Sequence, residues 1–142
     1  MRQLFISLLI IVLFAGSNSL FSQNNPEKGG IKKVVLSSSS QSWDGAELPA
    51  YPSGKPKISI LNITIPPKER LELHKHPIIN AGVLIKGELK VVKPNGETLI
   101  LKQGEAIIEL VNSEHYGVNE GDVEAVIIVF YAGDEQSPLS TH

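Results

Sequence analysis

Between residues 58 and 131, short runs rich in β-branched residues alternate with Pro, Gly and Asn turn signals, and no stretch beyond residue 22 combines helical apolar spacing with helix caps. The apolar residues recur instead at every second position, the spacing that lays one face of a strand on a core. Residues 58–65 alternate until Pro66-Pro67 ends the run, 69–76 alternate again, and 83–92 are interrupted at Gly87. Pro94-Asn95-Gly96 reads as a hairpin turn leading into 98–101. After Gly104 come 106–111, and last 123–131, apolar on both faces as in a strand enclosed between two layers. Many short strands at close intervals predict an all-β sandwich or barrel.

The first 22 residues are of another kind. Arg2 precedes a 12-residue run, 4–15, in which Ser7 is the only polar side chain, and small and polar residues follow. This is the layout of a cleaved secretory signal peptide, and the run is shorter than the roughly 20 residues that span a bilayer as a helix. Cleavage after Ser19 and cleavage after Ser22 both fit. The expected organisation is a signal peptide at 1–22, an N-terminal arm at 23–55 with an edge strand at 31–36, one domain at 56–133 and a tail at 134–142. From the arm into the first residue of the domain, residues 42–56 hold three prolines, which exclude a helix, while Trp43 and Tyr51 suit a segment lying on the body of the domain.

A chain of 142 residues, 42% hydrophobic, is long enough for one domain with an enclosed core. Its net charge of −2 becomes −3 when Arg2 leaves with the signal peptide, which argues against nucleic acid or an anionic membrane surface as partner. The absence of cysteine excludes disulfides, thiolate ligands, a thiol nucleophile and a lipid-anchored cysteine. The mature protein is expected to be soluble, periplasmic or secreted, and held by its core alone.

Two of the four histidines, His74 and His76, stand at alternate positions, so a strand would turn both to one face about 7 Å apart. Imidazole nitrogens sit about 2.0–2.1 Å from a bound zinc ion, and such a pair can converge on one ion. His115, the only other internal histidine, closes a second apolar segment, which suggests a metal held between two strands. On the same alternation Leu71 and Leu73 would face outward, an apolar pair pointing to a homodimer. Lys75 would point away, and His142, at the terminus, is expected to be disordered.

At this point the residues resemble a known family, the small single-domain cupins. That family's first motif runs HxH, three or four residues, Glu, six residues, Gly; here His74, His76, Asn80 and Gly87 stand at those positions. Its second motif runs Gly, five residues, Pro, one residue, Gly, two residues, His, three residues, Asn; here these are Gly104, Leu110, Asn112, His115 and Asn119. The resemblance covers about residues 56–133 and implies a jelly-roll barrel of antiparallel strands. It also implies a metal site of His74, His76 and His115. Asn80 replaces the usual glutamate, and Leu110, Asn112 and Lys68 replace a proline and two glycines at turns.

Three neutral imidazoles leave a divalent ion at +2, a stronger Lewis acid than one that also carries a carboxylate. Asn80 could offer its amide oxygen as a weak ligand or bond a metal-bound water. Iron, zinc, copper, nickel, cobalt and manganese all suit such a ligand set. Glu109, inside the apolar run 106–111, is the candidate catalytic residue. An acid buried there costs several kcal/mol without a partner, so it reads as a general base, as a partner of a histidine, or as a structural acid paired with a lysine or backbone amides. Glu72 reads as a rim charge, Glu114 as a loop charge, Tyr116 as packing and Trp43 as a lid or core anchor. By resemblance the function is that of a metal-dependent dioxygenase or isomerase on a small anionic or enolisable molecule. The alternative is a cupin module that binds a metal or small ligand without turnover.

Overall fold

β-Branched alternation gives the strands their two faces, and in the computed structural model, which describes residues 30–142, seven of them form. They are β1 (Pro56–Ile65), β2 (Ile79–Lys86), β3 (Glu88–Val92), β4 (Thr98–Lys102), β5 (Ala106–Ile108), β6 (Tyr116–Val118) and β7 (Ala125–Asp134). The signal-peptide segment lies outside the described residues. Residues 34–142 make one unit, with no helix among the described residues. One sheet has the order β1-β7-β2-β5 and the other β4-β3-β6, and every pairing is antiparallel. The all-β jelly-roll expectation holds.

The core lies between the sheets. Ile65, Leu84, Ile107, Ile127 and Val129 from one sheet meet Leu89, Val91 and Leu101 from the other, each burial stabilising by about 1.5–3 kcal/mol. β6, which shows no alternation of its own, brings Gly117 to the inner face, where an added Cβ would meet Leu89 and Leu71 at 3.3 and 3.4 Å. The interruption at Gly87 divides β2 from β3 as the sequence suggests. Its φ is 76°, and a Cβ there would lie 2.5 Å from the Glu124 carbonyl oxygen.

Four expectations change. Residues 31–36 form no strand. Residues 69–76 form no strand either, because successive residues bridge different partners: Arg70 to Val118, His74 to His115, Lys75 to Thr141 and His76 to Val111. A bend at Leu73 breaks the alternation, so Leu71 turns inward against the core while Leu73 stays exposed, and the outward leucine pair behind the dimer expectation is reduced to one. β7 is fully enclosed on one face, where Ala125, Ile127, Val129 and Tyr131 are buried; on the other face Val126 is buried and Ile128 half-buried, but Phe130 is exposed. Together with Ile58 and Ile60 it gives the outer surface of the four-stranded sheet an apolar face. His142 is ordered, with its Nδ1 3.2 Å from the Leu73 carbonyl.

The two non-glycine residues with left-handed backbone among those described are Lys68 (φ 65°) and Asn112 (φ 56°), the two positions where this chain replaces a glycine of the family motifs. The turns are therefore kept without the residue that makes them easy. Asn tolerates this conformation; Lys is held in it against a steric cost of about 1–2 kcal/mol, with its Nζ on the Glu120 carbonyl (2.7 Å) and the Asp122 carboxylate (2.8 Å). Asn119 closes the same corner: its Nδ2 donates to the carbonyls of Ile65, Pro66 and Val123, and its Oδ1 accepts from the Gly121 N–H.

The arm is fastened where Lys93, in the β3–β4 turn, meets Asp44 at 2.7 Å with both side chains largely buried. Burial alone would raise the Asp44 pKa; hydrogen bonds from Lys93, Ser42 and the Ala46 N–H outweigh it and hold the carboxyl at about 2. A carboxyl depressed in the folded state stabilises fully above its unfolded value near 3.8 and loses that contribution as pH falls toward 2. Asp44→Asn should therefore cost about 1–2 kcal/mol at pH 7 and close to nothing at pH 2, measured by urea unfolding across pH. Gly87→Ala, facing a backbone oxygen in a left-handed turn, should cost about 2–4 kcal/mol in the same assay.

Candidate metal centre

Each histidine is placed by backbone pairing. His74 and His115 exchange N–H to carbonyl hydrogen bonds of 3.0 and 2.9 Å, joining the segment after β1 to the segment before β6. The His76 carbonyl accepts from the Asn112 N–H at 2.7 Å, across the left-handed turn. On the other side of the segment Lys75 exchanges hydrogen bonds with Thr141 of the tail (3.0 and 2.9 Å). The result is a triangle of rings with centroids 4.9, 4.7 and 5.1 Å apart. One ring nitrogen from each lies within 4.8 Å of the others, and the three could hold a metal ion.

The Nδ1 atoms of His74, His76 and His115 lie 2.7, 2.7 and 2.9 Å from the carbonyl oxygens of Glu72, Leu139 and Ser113. A carbonyl only accepts, so each Nδ1 carries the ring proton and each Nε2 presents a lone pair. Burial pushes the His76 pKa down to about 4, against the Leu139 carbonyl and with help from the neighbouring His115 and His74. Burial likewise lowers that of His115. Both rings are therefore neutral at pH 7, the form in which imidazole binds metals.

Behind the triangle runs a buried row across three strands. Asn80 of β2 pairs with Tyr131 of β7 on one side, and on the other its carbonyl accepts from the Glu109 N–H at 3.1 Å, one step beyond the end of β5. Asn80 is 1% exposed and Glu109 8%. The Asn80 Nδ2 donates to the Ile78 carbonyl at 3.3 Å, while its Oδ1 and the Glu109 Oε2 have no hydrogen-bond partner. Glu109 Oε2 lies 3.5 Å from His115 Nε2. Burial drives the Glu109 pKa up to about 7, opposed by a hydrogen bond from the Leu110 N–H. Burial also raises that of Tyr131 to about 12, with the Glu109 charge adding to it, and the His76 ring stands edge-on to Tyr131 at 5.6 Å.

The three histidines and Glu109 share a cavity of about 50 Å³ walled by Leu89, Ile127 and other core side chains. It adjoins an outer mouth of about 400 Å³ whose lining includes His74, His76, Tyr131, Glu72, Leu139 and His142. A larger recess, about 680 Å³, lies against the outer face of the four-stranded sheet and contains none of the histidines.

The sequence motifs bring His74, His76 and His115 together as found, though through separate bridges from His74 to His115 and from His76 to Val111 and not by one strand face. Glu72 is on the rim, its side chain 89% exposed, and Glu114 is exposed. Tyr116 packs under the Arg70 guanidinium, 4.8 Å from the ring centroid, and Trp43 packs on the core, its backbone N–H bonded to the Ile108 carbonyl. The tail was missed. The Leu139 carbonyl orients His76 and the His142 ring lies 6.2 Å from that of His74; a backbone carbonyl leaves no mark on sequence that could have announced it.

A protein-family model described as the cupin domain matches residues 61–131. Among solved structures, the polyketide cyclase RemF of Streptomyces resistomycificus is 18% identical, with 63% of this chain and 62% of that one covered and a TM-score of 0.53. The DMSP lyase DddQ of Ruegeria pomeroyi is 16% identical (57% and 41%, TM-score 0.51). An oxalate oxidase in complex with the substrate analogue glycolate is 23% identical (59% and 45%, TM-score 0.50). The likeness is one of fold, and the chain spans less than two thirds of the length of each of the three. No curated protein matches the sequence. With a family match running from β1 to β7 and the two-motif histidine triangle in place, the chain belongs to the cupin domain family.

Proposed function

We propose that the protein binds a divalent metal ion through the Nε2 atoms of His74, His76 and His115 and acts there on a small organic molecule. The observation that carries the reading is the set of three Nδ1–H bonds to backbone carbonyls, which leaves three lone pairs aimed into one small cavity. A chance cluster of histidines has no reason to share one tautomer. When bound, a divalent ion at this position supplies Lewis acidity to the oxygen atoms of a ligand.

The chain's own residues then divide the work. Tyr131 and the core side chains keep the inner cavity apolar and narrow, so a ligand's polar end alone can reach the histidines. Its body would rest in the outer mouth, where Leu61, Ile63 and Leu139 offer apolar surface and His142 offers a polar contact at the rim. Glu109 is the one carboxylate in the inner cavity. That the fold neighbours include a cyclase, a lyase and an oxidase supports an enzyme reading as compatible with this barrel. The second reading, binding without turnover, is favoured by the inner volume of about 50 Å³, which suits an ion and a few waters better than an organic molecule.

Purified without added metal and assayed by elemental analysis, the mature chain should carry close to one equivalent of a transition metal, and His74→Ala and His115→Ala should carry a trace. Equal trace metal in all three would overturn the proposal. With metal present, oxygen uptake and isomerisation assays over a panel of diketones, phenols and small carboxylic acids separate an enzyme from a binder.

A further inference from the structure

Glu109 occupies a position that calls for a cation. Its Oε2 is buried without a hydrogen-bond partner and faces His115 Nε2 at 3.5 Å. Were that nitrogen protonated, the contact would be an ordinary long N–H···O interaction, but the ring proton is committed to the Ser113 carbonyl through Nδ1. The His115 Nε2 lone pair therefore faces a carboxyl oxygen inside an apolar cavity, a contact that repels when the acid is ionised and is relieved either by the acid's own proton or by a cation standing between the two atoms. No lysine or arginine pairs with Glu109 among the described residues, and the ring nitrogen it faces belongs to a neutral histidine. The separation fits a shared ion: two ligand atoms each about 2.0–2.2 Å from a tetrahedral centre are about 3.3–3.5 Å apart.

Register explains how the acid reaches this place. The β2–β5 ladder pairs Gly82 with Ile107, and the Glu109 N–H to Asn80 carbonyl bond carries it one further pair along the same inner face. Glu109 is thus the direct cross-strand neighbour of Asn80, the position where the family's first motif carries its glutamate. Side chains opposite each other in an antiparallel pair have Cβ atoms about 4.5–5.5 Å apart, a gap that one glutamate side chain spans.

We propose that Glu109 is the fourth protein ligand of the metal centre, returning to it from the neighbouring strand the carboxylate that Asn80 lacks. The inference rests on the three-histidine reading. Its consequence is electrostatic: with Glu109 bound, a divalent ion carries a net +1 instead of +2, so the centre is a weaker Lewis acid than its first motif alone implies.

Cobalt(II) titration of the metal-free full chain, followed by chelator competition and by the visible absorption of the bound ion, tests this. Glu109→Gln, nearly the same shape without the charge, should weaken Co²⁺ binding beyond the roughly 10–100-fold that loss of an outer-shell partner costs, and should change the absorption spectrum. Exchanging the pair, Asn80→Glu with Glu109→Asn, should restore both affinity and spectrum by placing the carboxylate on the other strand. That exchange also reads out the claim should the single variant fail to fold, which thermal melting of the metal-free proteins detects. If His74→Ala abolishes Co²⁺ binding while Glu109→Gln leaves affinity within a hundredfold and the spectrum unchanged, the assignment of Glu109 is overturned and the three-histidine site stands. Failure of the wild-type chain to bind Co²⁺ at all overturns both.

Discussion

A neutral imidazole has two nitrogens and one proton, and which nitrogen keeps the proton decides whether the ring can bind a metal with the other. In this molecule the choice is made three times by the backbone. Carbonyls of Glu72, Ser113 and Leu139 each take the Nδ1–H of one histidine, and what remains faces inward as three bare Nε2 atoms. Without those carbonyls the rings could swing outward or present an N–H to the cavity. The placement of three loops is therefore the condition on which the centre depends.

The loops are placed by features that do no chemistry. Asn119 gathers the ends of three segments through four hydrogen bonds and is completely buried. Lys68 and Asn112 hold left-handed turns at positions where the family motifs use glycine, one directly before the segment that bears His74 and His76, the other directly before the one that bears His115. The Asn112 N–H then ties the two segments together through the His76 carbonyl. The tail adds a clamp on the far side, where Thr141 pairs with Lys75 and Leu139 meets His76. Sheet packing beneath, from Leu84 and Ile127 to Leu89 and Val91, supplies the rigid floor.

Much of the fold is legible in the residues because its signals are local. The alternation at 58–65, the break at Gly87 and the turn at Pro94-Asn95-Gly96 each report on a few neighbouring positions, and the strands fall there. The alternation at 69–76 misleads because the segment is held by four isolated bridges and not by one partner strand, so its period carries no face; Leu71 and His74 both end inside. β7 misleads in the opposite way. Its two apolar faces suggest a full second layer on each side, whereas its outer face is covered only in part and leaves Phe130 exposed.

The candidate site divides along the same line. The three histidines are visible in two motifs of fixed spacing. The pairing of Glu109 with Asn80 is not, because it depends on the register of two strands that meet across more than twenty residues of chain, and a one-residue slip would have sent the acid to the other face. The carbonyl partners are invisible for a simpler reason: every residue has one. Nitrogen-15 NMR of the imidazoles in the metal-free protein at pH 7 tests the whole account most directly. The expected result is the Nδ1–H tautomer for His74, His76 and His115, and on zinc addition a joint shift of their three Nε2 signals with His142 unaffected. An Nε2–H tautomer at any of the three, or zinc shifts confined to His142 and the rim, would contradict it.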